Sequence, residues 1–149
     1  MFRVLIVENN TVYSRMVKDL IVTQYAFIDV RTVATGQEAI RKVKLLVPDI
    51  VIVSIHIAGI KGLELVERVK SIHEETVVIV LSNFSMDEYR KSSLASGADY
   101  FFTKDFASEE MLQVIHDQLP PEEKTGPQET LVFNTEKGKT SKPGKNKPS

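Results

Sequence analysis

Cysteine is absent from the 149 residues. Its absence excludes disulfides, thiolate nucleophiles and cysteine-ligated zinc together. Net charge is nearly absent as well: 19 Lys and Arg stand against 20 Asp and Glu, leaving −1. No overall field therefore draws the chain to nucleic acid or to a membrane surface. No stretch approaches the roughly 18 apolar residues of a membrane span. The opening MFRVLIVENN has too short an apolar run for a secretory signal. A cytoplasmic protein with no membrane partner is the expectation. What is present is 42% hydrophobic residues, enough for the core of one domain of roughly 100–150 residues.

The composition changes at Pro120-Pro121. Residues 1–120 alternate apolar runs with amphipathic stretches. Residues 121–149 are polar, and their last part, KGKTSKPGKNKPS, carries five lysines and no acid. Such a segment cannot offset its ordering entropy by burial, so it is expected to be disordered. A basic tail is able to meet nucleic acid or an acidic partner, but a solvated terminus is the simpler reading. The tail is too short and too polar for a catalytic or helix-turn-helix module. Any output is expected to run through another chain, and the chain itself is not expected to be an enzyme.

Five strand-length runs, mostly β-branched or aromatic, occur at Phe2–Val7, Ile28–Thr32, Ile50–Ser54, Val77–Leu81 and Asp99–Thr103. The third and fourth are almost continuously apolar, as strands covered on both faces are. Helical periodicity fills the intervals. The first helix is expected to bury Val12, Met16, Leu20 and Ile21; the second Ala39, Ile40, Val43 and Leu46; the third Leu65, Val66, Val69 and Ile72. The fourth, Met86 to Ala95, is more polar. The fifth runs from an N-cap at Ser108 and buries Met111, Leu112 and Ile115. Five β-α units in succession predict an α/β fold: a five-stranded parallel sheet with right-handed crossovers and helices on both faces.

Function in such a sheet collects at the carboxyl ends of the strands. There stand Glu8, Asn9 and Asn10 after the first run and Ser54, Ile55 and His56 at the third. Ser82 and Asn83 follow at the fourth, and Thr103, Lys104 and Asp105 at the fifth. One acid, one lysine, hydroxyls, amides and one imidazole thus converge.

The stretches RVLIVEN, TVATGQEAI, PDIVIVSIHIAGIKGLELVERVK, VVIVLSNFS and SGADYFFTKDFASEEMLQVI carry a resemblance. From Phe2 to Leu119 the chain resembles the receiver domain of bacterial two-component response regulators, which has the flavodoxin-like (βα)5 fold. In that family an aspartate at the tip of the third strand takes a phosphoryl group from a histidine kinase. An acidic pair after the first strand holds Mg²⁺. A hydroxyl after the fourth strand and a lysine after the fifth bind phosphoryl oxygens, and an aromatic in the fifth strand switches rotamer. By resemblance the acidic pair falls on Glu8 and Asn9, the acceptor on Ser54, the hydroxyl on Ser82, the lysine on Lys104 and the aromatic on Phe101.

Two of these positions depart from the family. A carboxylate attacks phosphorus directly to give an acyl phosphate; the Ser54 hydroxyl is neutral and needs a base. Glu8 and His56 are the candidate bases. The family's three acids against one lysine repel one another and invite a divalent cation. Here Glu8 against Lys104 sums to zero, so weak or no Mg²⁺ binding is expected, with no other cofactor. Glu8 is expected to pair with Lys104, directly or through Ser54. His56 is the only candidate imidazole ligand, and with Glu8 it makes no zinc site; His73 and His116 read as surface helix residues. Ala58 replaces a proline common in the family, which predicts a more mobile loop, and the bulk of Asn83 narrows the donor entrance. Without phosphorylation Phe101 reads as core.

The sequence therefore predicts a pseudo-receiver: an atypical, single-domain response regulator acting by protein contact. The resemblance implies a kinase or output protein as partner, or a homodimer, through the fourth helix, fifth strand and fifth helix. The residues there are Met86 to Tyr89, Tyr100, Phe102 and Lys104, with Tyr89 and Tyr100 as exposed candidates. The alternatives are a metal-dependent phosphorelay protein with a non-aspartate acceptor, and nucleic-acid binding through the tail.

Overall fold

The computed structural model describes residues 1–56, 60–85 and 87–124. Ala58, Met86 and the lysine-rich tail lie outside them. The element order is β1 (Arg3–Val7), α1 (Thr11–Gln24), β2 (Asp29–Val33), α2 (Gly36–Leu46), β3 (Ile50–Ser54), α3 (Gly62–Ile72), β4 (Val77–Ser82), α4 (Asp87–Ala95), β5 (Tyr100–Thr103) and α5 (Ala107–Gln118). All strands are parallel, in the order β2-β1-β3-β4-β5. The chain moves outward from β1 to β2, then crosses back past β1 to β3. The strand order therefore reverses between β1 and β3, where ligand sites form in open α/β sheets.

Strand parity divides the core into two layers. Val4, Ile6, Ile50, Ile52, Ile79, Leu81, Tyr100 and Phe102 pack with Val17 and Ile21 of α1 and Met111 and Ile115 of α5. Leu5, Val7, Val51, Val53, Val78, Val80 and Phe101 pack with α2 and α3 through Ala39, Val43, Leu65, Val66 and Val69. Each fully buried Val, Leu or Ile contributes about 1.5–3 kcal/mol of transfer free energy. The inner strands are apolar on both faces because both faces are covered. The edge strand β2 exposes Arg31 and Thr32, and Arg31 pairs with Asp29 at 2.9 Å, which blunts the edge against strand pairing.

At two helices the structure departs from the sequence pattern. α1 does not bury Val12 and Met16, which are 78% and 53% exposed; Ser14, Val17 and Ile21 face the sheet instead. α5 is not capped by Ser108. It begins at Ala107, directly after a 3-10 turn at Lys104–Phe106, and Ser108 is exposed in its first turn. The remaining helical stripes are buried as expected, with Leu46 and Ile72 at their half-buried margins.

α2 ends in a left-handed residue that is not glycine. Val47 has φ 48° and ψ 67°, a conformation costing a β-branched L-residue about 1–2 kcal/mol. Its side chain is half exposed, so removing it sacrifices little packing. Val47→Gly is expected to raise stability by about 1 kcal/mol, after the larger unfolded-state entropy of glycine is offset. A rise in the urea midpoint at unchanged slope checks this.

Candidate functional site at the strand ends

Glu8 continues β1 by one residue, its N–H donating to the Val33 carbonyl at 3.0 Å. That bond fixes the backbone and turns the carboxylate over the strand ends, where the residue is 4% exposed. Oε1 accepts a hydrogen bond from the Ser54 hydroxyl and one from Lys104 Nζ at 2.7 Å. Oε2 accepts the Asn10 N–H at 3.0 Å. Asn10 in turn caps α1, its Oδ1 accepting the Tyr13 N–H at 3.0 Å. The acid, the serine and the lysine, distant in sequence, thus share one oxygen. The ion pair expected from charge counting is formed, with Ser54 as its third member. Such charge-assisted bonds are about twice as strong as neutral ones.

Tyr13 completes the enclosure, and sequence reasoning did not identify it. Its ring lies 4.5 Å from Lys104 Nζ, so the ammonium has a carboxylate on one side and a π face on the other. The available signal was the Asn10 cap, which fixes the first turn of α1 beside Glu8. Burial pushes the Tyr13 phenol up from 10.0 to about 12, aided by the charge of Glu8 and then of Asp105. Tyr25 is pushed up to about 12 by burial and then Asp117. A raised folded-state value favours the protonated folded form. The resulting stability is complete below pH 10 and is lost as pH rises through about 12. Tyrosinate absorbance and a urea series across this window measure it, and Tyr13→Phe is expected to reduce the alkaline loss.

Among the described residues, the remaining positions named from the sequence make no hydrogen bond to this cluster. Asn9 is exposed. Ser82 is fully buried, and its Oγ accepts the Phe84 N–H at 3.0 Å, which shapes the turn after β4. Phe101 is buried beneath the Arg90 guanidinium, which lies 5.3 Å from the ring centre. His56 packs edge-on against Phe84 and Tyr89. Asn83 is exposed. His73 Nδ1 meets Thr76 Oγ1 at 2.8 Å at the end of α3. His116 lies 3.5 Å from the Tyr25 hydroxyl. Tyr100 and Phe102 are not on the expected exposed face: they are 2% and 3% exposed and stack on each other, because their parity turns them under α5. Tyr89 remains half-buried on α4.

The receiver fold implies Mg²⁺ beside this cluster. The residues present do not fit it. Both oxygens of Glu8 are engaged, the Lys104 ammonium stands against Oε1, and Asn9 brings a neutral amide. Mg²⁺ favours carboxylate and water oxygens in octahedral geometry, and the cluster offers one carboxylate that is already neutralised.

A doubly wound parallel sheet with an acid after the first strand and a lysine after the fifth defines the CheY-like receiver class. The comparisons agree. The family model described as response regulator receiver domain matches residues 4–116, and the chain belongs to that family, a module of signal transduction. It is similar to the transcriptional regulatory protein TrcR of Mycobacterium tuberculosis, 33% identical over 74% of this chain and 42% of the relative. It is similar to YdfI of Bacillus subtilis, 28% identical over 77% of this chain and 54% of the relative. The chain thus spans about half the length of these relatives or less. The crystal structure of a CheY-like receiver protein from Methanospirillum hungatei superposes with a TM-score of 0.70, at 21% identity, over 93% of this chain and 99% of that one. Among the described residues no helix is long and apolar enough to cross a membrane.

Proposed function

We propose that this receiver acts as a pseudo-receiver: it signals by protein contact and runs no aspartyl-phosphate cycle. The observation that carries the reading is the shared oxygen of Glu8. Ser54 stands where the family has its nucleophile, and its hydroxyl donates to the one acid of the site, which Lys104 already neutralises. The lysine that binds phosphoryl oxygens in the family is thus engaged within the protein. Phe101, buried under Arg90, supports a fixed aromatic in place of a switching one. Residues 1–120 form the receiver unit in this reading, with 121–149 as a polar tail, in the cytoplasm. The partner is a protein, a histidine kinase or an output protein, met through α4, β5 and α5. With Tyr100 and Phe102 buried, the aromatic contribution to that face comes from Tyr89 and from Phe84, which is 49% exposed.

One observation favours a second reading, phosphoryl transfer to Ser54. The Ser54 hydroxyl already donates to a carboxylate, the arrangement a base-assisted nucleophile needs. Glu8 would take the proton as the Ser54 oxygen bonds to phosphorus and the donor's leaving group departs. Incubation with acetyl phosphate and Mg²⁺ followed by intact-mass spectrometry separates the readings. The pseudo-receiver reading expects no added phosphoryl group. A hydroxylamine-resistant phosphoryl adduct on Ser54 would establish the second reading and overturn the first.

A further inference from the structure

Charge is divided unevenly along this chain. Residues 137–149 carry five lysines and no acid, so the preceding 136 residues carry a net −6. Six of those acids fall between Asp105 and Glu123, a stretch without lysine or arginine that holds the whole of α5. Asp105 and Glu122 are exposed near its two ends, and Glu109 and Glu110 stand in the first turn of the helix.

Three observations favour the chain's own lysines as the counter-charge. The first is complementarity: a stretch with six acids and no lysine or arginine is followed by one with five lysines and no acid. The second is reach. α5 has 12 residues and is therefore about 18 Å long. The connecting stretch 125–136 extends to at most about 40 Å, so the lysines can reach either end of the helix from Lys124. The third is burial. Glu109, Glu110, Gln113 and Asp117, on the side of α5 away from its buried residues, are half-buried, whereas Arg15, Lys18 and Asp19 on the outer side of α1 are exposed. The outer side of α5 is shielded where that of α1 is open. Single exposed ion pairs are weak, and the tether supplies what they lack, an effective concentration in the millimolar range.

We propose that the lysine-rich segment 137–149 lies along the acidic outer side of α5. The contact is one of charge and does not require the segment to take up regular structure. If α4, β5 and α5 form the partner surface, as in the reading above, the segment covers part of that surface until a partner displaces it. The contact itself does not rest on that reading.

The chain has no cysteine, so Ser141→Cys gives a single attachment point for a nitroxide label on the full, ¹⁵N-labelled chain. The reference is the same labelled chain carrying Lys137→Gln, Lys139→Gln, Lys142→Gln, Lys145→Gln and Lys147→Gln. At about 20 mM salt, where screening is weak, the amides of Glu109, Glu110 and Asp117 are expected to broaden about threefold more than in the reference. At about 300 mM salt most of that excess is expected to vanish. Equal broadening in the two chains would overturn the proposal, since tethering alone would then account for it. Broadening spread evenly over α1, α2 and α5 would also overturn it, and leave the lysines to nucleic acid or another chain. A mixture of spin-labelled chain without ¹⁵N and unlabelled ¹⁵N chain tests for a second copy. Broadening of α5 as strong in that mixture would place the segment on a neighbouring molecule and overturn the intrachain contact.

Discussion

Asn9→Asp combined with Ser54→Asp is expected to make the stability of this protein depend on Mg²⁺. The present cluster holds one acid against one lysine, Glu8 and Lys104, at 2.7 Å. The two replacements bring three carboxylates together against that lysine. Without metal they repel, and the variant is expected to be less stable than the natural chain. With metal the same crowding becomes a ligand set of hard oxygens. For a dissociation constant of about 1 mM, 10 mM Mg²⁺ would add about 1.4 kcal/mol. The natural chain is expected to change by less than about 0.3 kcal/mol under the same conditions. Urea midpoints with and without Mg²⁺ measure both. A double variant indifferent to Mg²⁺ would show that the missing carboxylates are not what closed the site.

Lys104→Met is expected to destabilise the fold by about 3 kcal/mol, because it leaves the Glu8 carboxylate buried without its cation. The Glu8 side chain is 3% exposed and that of Lys104 16%, so solvent screening gives little relief. Removing both charges together has a different outcome. Glu8→Met with Lys104→Met is expected to cost less than the sum of the two single changes, since the buried pair loses its desolvation cost along with its attraction and only the Ser54 and Asn10 donors are left without their acceptor. Glu8→Met alone should also destabilise, because it removes the acceptor for Ser54 and Asn10 as well as the ion pair. A double-mutant cycle from urea unfolding gives the coupling. A coupling near zero would mean that the pair is incidental to the pocket.

The sheet was legible in the sequence because parallel strands buried on both faces read as unbroken apolar runs. Ile50–Val53 and Val78–Leu81 could be little else. The pairing of Glu8 with Lys104 was legible from charge, since one acid and one lysine converge where little solvent reaches. The facing of α1 was not. Val12 and Met16 form as good an i, i+4 stripe as Val17 and Ile21, and periodicity alone does not choose between them. The choice is made by tertiary contacts. The Asn10 cap and the Tyr13 ring over Lys104 fix the rotation of the helix, and small Ser14 faces inward in consequence. Tyr100 and Phe102 were misread for a related reason. At an edge strand, exposure depends on whether a helix reaches over it, and α5 does, with Met111, Leu112 and Ile115. Tyr13 escaped notice because its role depends on the approach of Lys104, which follows a strand three places from β1 across the sheet.

The central claim is that the Glu8–Ser54–Lys104 cluster is closed to the phosphoryl switch. An amide NMR titration of the natural chain with Mg²⁺, then with beryllofluoride as a mimic of the aspartyl phosphate, tests it most directly. The account predicts no saturable shifts at Glu8, Ser54, Ser82 and Lys104. Saturable shifts at these residues, spreading to Phe101 and α4, would contradict it and show a working switch.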